Sequence, residues 1–123
     1  MQIFHYEVAD SSEGPRLAAA LLAAAPGWEI EHFTRLADFR ERMHAFVEPD
    51  SIAVLAAANA SELREMQDLG DLIQDIGIIL VLPDWQDSTL RQAHHLRPRF
   101  CCEKNDSYTG LHQIVRKMVQ ASH

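Results

Sequence analysis

The sequence predicts an α/β protein: a doubly wound, three-layer αβα sandwich built on a five-stranded parallel sheet. Three observations predict it. Five strand-like segments alternate with five helix-like segments along the chain. Two of those strands, "SIAVLAA" and "IGIILVL", are apolar on both faces, as strands are when helices cover both sides of a parallel sheet. The 123-residue length suits one domain, so 1–123 reads as a single unit able to bury a core without staples. Strictly alternating βα units imply right-handed crossovers and hence helices on both faces.

Each element follows from its local pattern. "QIFHYEV" is the first strand, with Ile3, His5 and Glu7 alternating against Phe4, Tyr6 and Val8. In "SSEGPRLAAALLAAAPG", serines and Glu13 precede Pro15 in a first turn, and Pro26-Gly27 closes the helix. Leu17, Leu21 and Leu22 give it an apolar side. "WEIEHF" alternates and is half buried, which puts the second strand at an edge. Thr34 is placed to cap a helix whose Leu36, Phe39, Met43 and Phe46 recur at helical spacing. Pro49-Asp50 turns the chain into the third strand. Asn59 and Glu62 have capping-box spacing for a third helix with Leu63, Met66, Leu69 and Ile73 inside. After the very apolar fourth strand, Asp87 or Ser88 is expected to cap a helix carrying Leu90, Ala93 and Leu96, stopped by Pro98. "RFCC" is a short fifth strand. Asp106 or Ser107 is expected to cap the last helix, with Leu111, Ile114, Val115, Met118 and Val119 inward.

Composition excludes several function classes. No apolar run approaches the roughly 20 residues that span a bilayer, and "MQIFHYEV" lacks a secretory signal's basic start and cleavage site. No membrane role and a cytoplasmic location are expected. The net charge of −7 repels nucleic-acid phosphates, although "HHLRPR" is locally basic. Cys101 and Cys102 are adjacent, point to opposite faces of a strand, and read as reduced hydrophobes.

Sheets of this kind bind ligands outside the carboxyl ends of their strands. The loops there offer Asp10, Asn59, Asp84, Trp85, Lys104 and Asp106. In element order and spacing over essentially the whole chain, the sequence resembles the receiver domain of bacterial response regulators, a CheY-like, flavodoxin-like fold. The resemblance implies strand order 2-1-3-4-5. It also implies an acidic pair after the first strand, a phosphoaccepting aspartate after the third, a hydroxyl after the fourth and Lys-Pro after the fifth. "FCCEKND" supplies Lys104, with Asn105 in place of proline, and Asp10 stands for one member of the acidic pair. The acceptor position falls on Ala56 or Ala57, and the hydroxyl position on Leu82 or Pro83. Alanine supplies neither a nucleophile nor a metal ligand for phosphoryl transfer. The sequence therefore reads as a degenerate receiver, or pseudo-receiver, with no cofactor, no bound metal and no enzymatic activity.

Other chemistries fit less well. His94, His95, Cys101, Cys102 and His112 match no established zinc spacing. No G-x-G-x-x-G or P-loop pattern occurs, which leaves a small-molecule or nucleotide-binding flavodoxin-like domain as the alternative reading. The favoured reading is a phosphorylation-independent signalling module that contacts a protein partner or itself. In receivers the face of the fourth helix, fifth strand and fifth helix makes such contacts. Its residues here would include His95, Arg99, Tyr108 and His112, with Trp85 at the rim. Either a homodimer through that face or docking to another protein is the expectation.

Overall fold

The computed structural model describes residues 2–9, 14–73, 75–104 and 107–121. Among them the chain runs β1 (Gln2–Tyr6), α1 (Gly14–Ala24), β2 (Glu29–Phe33), α2 (Leu36–His44), β3 (Ile52–Ala56), α3 (Ala60–Gln67), β4 (Gly77–Leu82), α4 (Asp87–His94), β5 (Phe100–Glu103) and α5 (Thr109–Ala121). The strands pair in parallel in the order β2-β1-β3-β4-β5. The expected sandwich and strand order are those observed. β3 and β4 are buried at every residue, whereas β2 is half exposed at its edge.

Period-two alternation divides the core into two layers. Phe4, Tyr6, Ala53, Leu55, Ile78 and Leu80 face one way, onto Phe39, Met43, Leu63, Met66 and Ala93 of α2, α3 and α4. Ile3, Ile52, Val54, Ile79 and Val81 face the other way, onto Leu17, Leu21, Leu111 and Val115 of α1 and α5. Each large apolar side chain buried this way contributes about 1.5–3 kcal/mol. The alanines of α1 let that helix lie close against α5 and the sheet.

Helix ends depart from the sequence expectations at several points. Arg35, not Thr34, is the N-cap of α2, in extended backbone and without a side-chain cap bond. α4 begins after Gln86, so neither Asp87 nor Ser88 is its cap. Asp84 lies upstream instead and accepts from the Gln86 N–H at 3.0 Å and the Thr89 hydroxyl at 2.6 Å. An Asx turn ahead of the helix thus ties its first turn to the loop. α3 is shorter than its apolar stripe: past Gln67 the chain passes into tighter turns through Gly70, which still carry Leu69 and Ile73 into the core. α4 ends at His94, and Leu96 is buried from the turn that follows. The expected caps at the start of α1 and at Asp106 lie outside the described residues. Ser107 accepts from the Thr109 N–H at 3.4 Å, a long cap for α5.

Candidate functional site

The order reversal between β1 and β3 places the ligand crevice of such a sheet above the ends of those two strands. Hydrocarbon fills the β3 side. Ala56 and Ala57 are buried, Ala57 at 3% exposure, one in each core layer. The Ala57 N–H donates to the Val81 carbonyl at 2.9 Å, so the sheet ladder runs on past the last strand residue. Leu82 is fully buried and Pro83 partly so, and the hydroxyl position of a receiver is therefore apolar. Lys104 directly follows β5, and its N–H donates to the Leu82 carbonyl at 2.7 Å. Asp10 lies outside the described residues.

A carboxylate does approach this corner, and it comes from α3. Glu62 accepts from the Tyr6 hydroxyl at 2.7 Å through Oε2 and from the Ala58 N–H at 2.8 Å through Oε1. Its own N–H donates to Asn59 Oδ1 at 2.9 Å. Half of the expected capping box forms in the usual way. The other half reaches one residue further back, to Ala58 rather than Asn59. Burial, then the hydrogen bond to Glu62, then the charges of Glu62 and Glu65 push the Tyr6 hydroxyl above its ordinary range. Both Glu62 oxygens hold structural partners, so the group bolts β1 to the start of α3. It stands on a helix, away from the strand end where an acceptor aspartate would project.

A second polar cluster lies on the other face of β1, and sequence reading passed over it. His5 and His32 are directly paired across β1 and β2, and their Nδ1 atoms lie 3.0 Å apart. The buried carboxylate of Glu7 sits 3.3 Å from His5 Nε2. The rings meet edge to face at 73°. Burial, and secondarily the charge of His5, holds His32 below the usual histidine range. A shallow cavity of about 270 Å³ opens beside them, lined also by Gly14, Ala18 and Thr34. The signal was present in the sequence: His5 and Glu7 alternate with apolar residues on the strand face that also carries Ile3. Without the strand register, nothing linked them to His32.

The expected contact residues are dispersed. Trp85 is 46% exposed at the start of the β4–α4 region. His95 is exposed at the far end of α4, beside Asp68, Asp71 and Arg97, and Arg99 is exposed below β5. His112 is half buried on α5. Tyr108 departs from the expectation: it is buried at 2% exposure, with Arg16 of α1 stacked 5.2 Å from its ring centre. Its backbone is in the left-handed region, at φ 63°, and the ring belongs to the core layer of α1 and α5.

Neither Cys101 nor Cys102 is in a disulfide, and burial pushes the Cys101 thiol upward, opposite to the shift a nucleophilic thiol needs. Among the described residues no group of three or more His, Cys, Asp or Glu side chains is placed to hold a metal ion. No described helix is long and apolar enough to cross a membrane.

No protein-family model and no curated protein matches the chain. Solved structures do. A protein described as pilus assembly-related, from Burkholderia pseudomallei, is 18% identical with a TM-score of 0.71, over 98% of this chain and 90% of its own. A protein described as the pilus assembly protein CpaE, from Burkholderia thailandensis, is 20% identical with a TM-score of 0.72, over 100% of this chain and 99% of its own. At such identities the likeness establishes the fold alone: a five-stranded, flavodoxin-like, receiver-like α/β domain.

Proposed function

We propose that the chain is a pseudo-receiver: a signalling or docking module that works by protein contact and has no phosphoryl switch. One observation carries the reading, the buried pair Ala56 and Ala57 where β3 ends. Phosphoryl transfer to protein needs a carboxylate nucleophile and a divalent ion against the developing charge. Methyl groups provide neither, and the Glu62 carboxylate nearby is held by Tyr6 and Ala58. The similarity to two proteins described in terms of pilus assembly supports a role within a multiprotein assembly rather than in metabolite turnover. The partner is another protein or a second copy of this chain, reached through α4, β5 and α5 with Trp85 at the rim. The setting is cytoplasmic, where adjacent thiols on one strand stay reduced.

The direct test is incubation of the purified chain with acetyl phosphate and Mg²⁺, followed by intact mass measurement. No acid-labile adduct is expected, and a stoichiometric one would end this reading. Self-association is tested separately by light scattering. A homodimer gives twice the 13.9 kDa chain mass, and Trp85→Ala with Arg99→Glu should return it to the monomer.

A further inference from the structure

We propose that His5 and His32 form an acid-released latch: one shared proton ties edge strand β2 to β1, and charging both rings breaks the tie and frees His32. The argument begins with register. Parallel pairing sets the two residues directly opposite each other and brings their Nδ1 atoms to 3.0 Å, within hydrogen-bond distance. A bond between two imidazoles needs one nitrogen that carries a proton and one that is bare. The neutral pair meets that condition, and so does a pair that has taken up one proton. With both rings charged, N–H would face N–H across 3.0 Å, and two like charges would stand 5.1 Å apart between ring centres. The contact therefore tolerates one positive charge and not two.

The surroundings decide which ring gives way. His5 is 4% exposed and fixed in β1, whereas His32 is exposed on β2, which has a single neighbouring strand. The Glu7 carboxylate stands 3.3 Å from His5 Nε2; it makes no hydrogen bond there, but its negative charge lies on the buried side of the pair. Among the described residues lining the adjoining cavity, no other side chain carries charge, and α1 contributes only Gly14, Pro15 and Ala18. Arg16 of α1 lies over Tyr108 instead, and Glu31 of β2 points to the opposite face, toward Gln2 and Arg42. Partial burial, and secondarily the charge of His5, hold His32 below the usual histidine range, the direction a shared bond requires. As pH falls, the unfolded chain protonates His32 before the folded one does. The stability tied to the latch is therefore complete above about pH 6.5 and is lost as pH drops through the depressed His32 value. Once His32 is charged its ring turns out to solvent, and the cavity of about 270 Å³ opens beside the ends of β1 and β2. Edge strand β2 then keeps only its backbone ladder on this face, and local opening starts there.

The test combines an NMR titration of the histidine rings with amide hydrogen exchange, corrected for the intrinsic pH dependence of exchange. His32 should titrate below the exposed His94 and His95. The reporter amide is Glu7, whose N–H donates to the Phe33 carbonyl at 3.0 Å just past the histidine pair. Its protection should fall by up to about tenfold per pH unit below about pH 6.5, the slope of one linked proton, and then level off. The amide of Val115, in the core of α5, should keep its protection over the same range. His32→Gln, at an exposed position, should fold normally and remove the pH dependence at Glu7. In folded His5→Gln, His32 should titrate close to His94 and His95. Titration of His32 together with His94 and His95 in the parent would overturn the proposal. So would pH-independent protection at Glu7, the same fall in His32→Gln, or a parallel loss at Val115, which marks global acid unfolding.

Discussion

Changing Tyr6 to phenylalanine isolates the bolt between β1 and α3. The ring stays, together with its edge-on packing against Phe39 at 6.5 Å, and only the hydroxyl is lost. That hydroxyl donates at 2.7 Å to a carboxylate, and hydrogen bonds to charged groups are worth about 1.5–3 kcal/mol. Glu62 keeps the Ala58 N–H and is only half buried, so water takes over part of the loss. The net cost should be about 1–2 kcal/mol. Glu62→Ala should cost more, about 2–4 kcal/mol, because it strands the buried Tyr6 hydroxyl and also removes the acceptor of Ala58. The double variant should fall short of the sum by about 1 kcal/mol or more, since both changes remove one shared bond. Urea titrations followed by circular dichroism give these values through linear extrapolation. Melting points should drop by about 3–5 °C per kcal/mol at this chain size. A Tyr6→Phe protein as stable as the parent, or strictly additive single variants, would refute the claim that this contact holds the corner shut.

The same hydroxyl sets an alkaline limit. Its folded-state pKa lies above the unfolded value of 10.0, so the folded state retains a proton that the unfolded state loses. The stability tied to that proton is complete below about pH 10 and disappears as pH climbs further. Tyr6→Phe should flatten this limb of a stability–pH curve measured by urea melts. Ala57→Asp should lower stability by several kcal/mol, because it buries a carboxylate at a 3% exposed site, and mass spectrometry after acetyl phosphate should still find no adduct. Gly27→Ala should cost about 1 kcal/mol in thermal melts, since Gly27 leaves α1 at φ 87°, where a Cβ is strained even with open space around it. Phe39→Ala should cost about 3–5 kcal/mol, because Phe39 is fully buried between Tyr6 and Phe33.

The sequence by itself determined the order and kind of elements, because hydrophobic period and turn chemistry are written locally. "IGIILVL" is a central strand by its two-sided apolarity, and "WEIEHF" an edge strand by its half-polar alternation. The methyl-filled end of β3 was legible for the same reason, since a strand-to-helix junction is contiguous in the chain. Helix starts were legible only in part. Asn59 caps α3 as its spacing implies, but α4 takes its anchor from Asp84, several residues upstream of the expected caps. Competing side chains within one loop differ too little in local preference for sequence to choose among them. Contacts between distant segments were decided by tertiary structure alone. Tyr6 and Glu62 are 56 positions apart, and His5 and His32 are 27 apart. Each pair meets only after strand register and helix packing are set. Tyr108 shows the converse: a residue that looks like surface in the sequence is buried in the layer of α1 and α5. Side-chain type states what a residue can do, and the sheet decides which other residue it does it with.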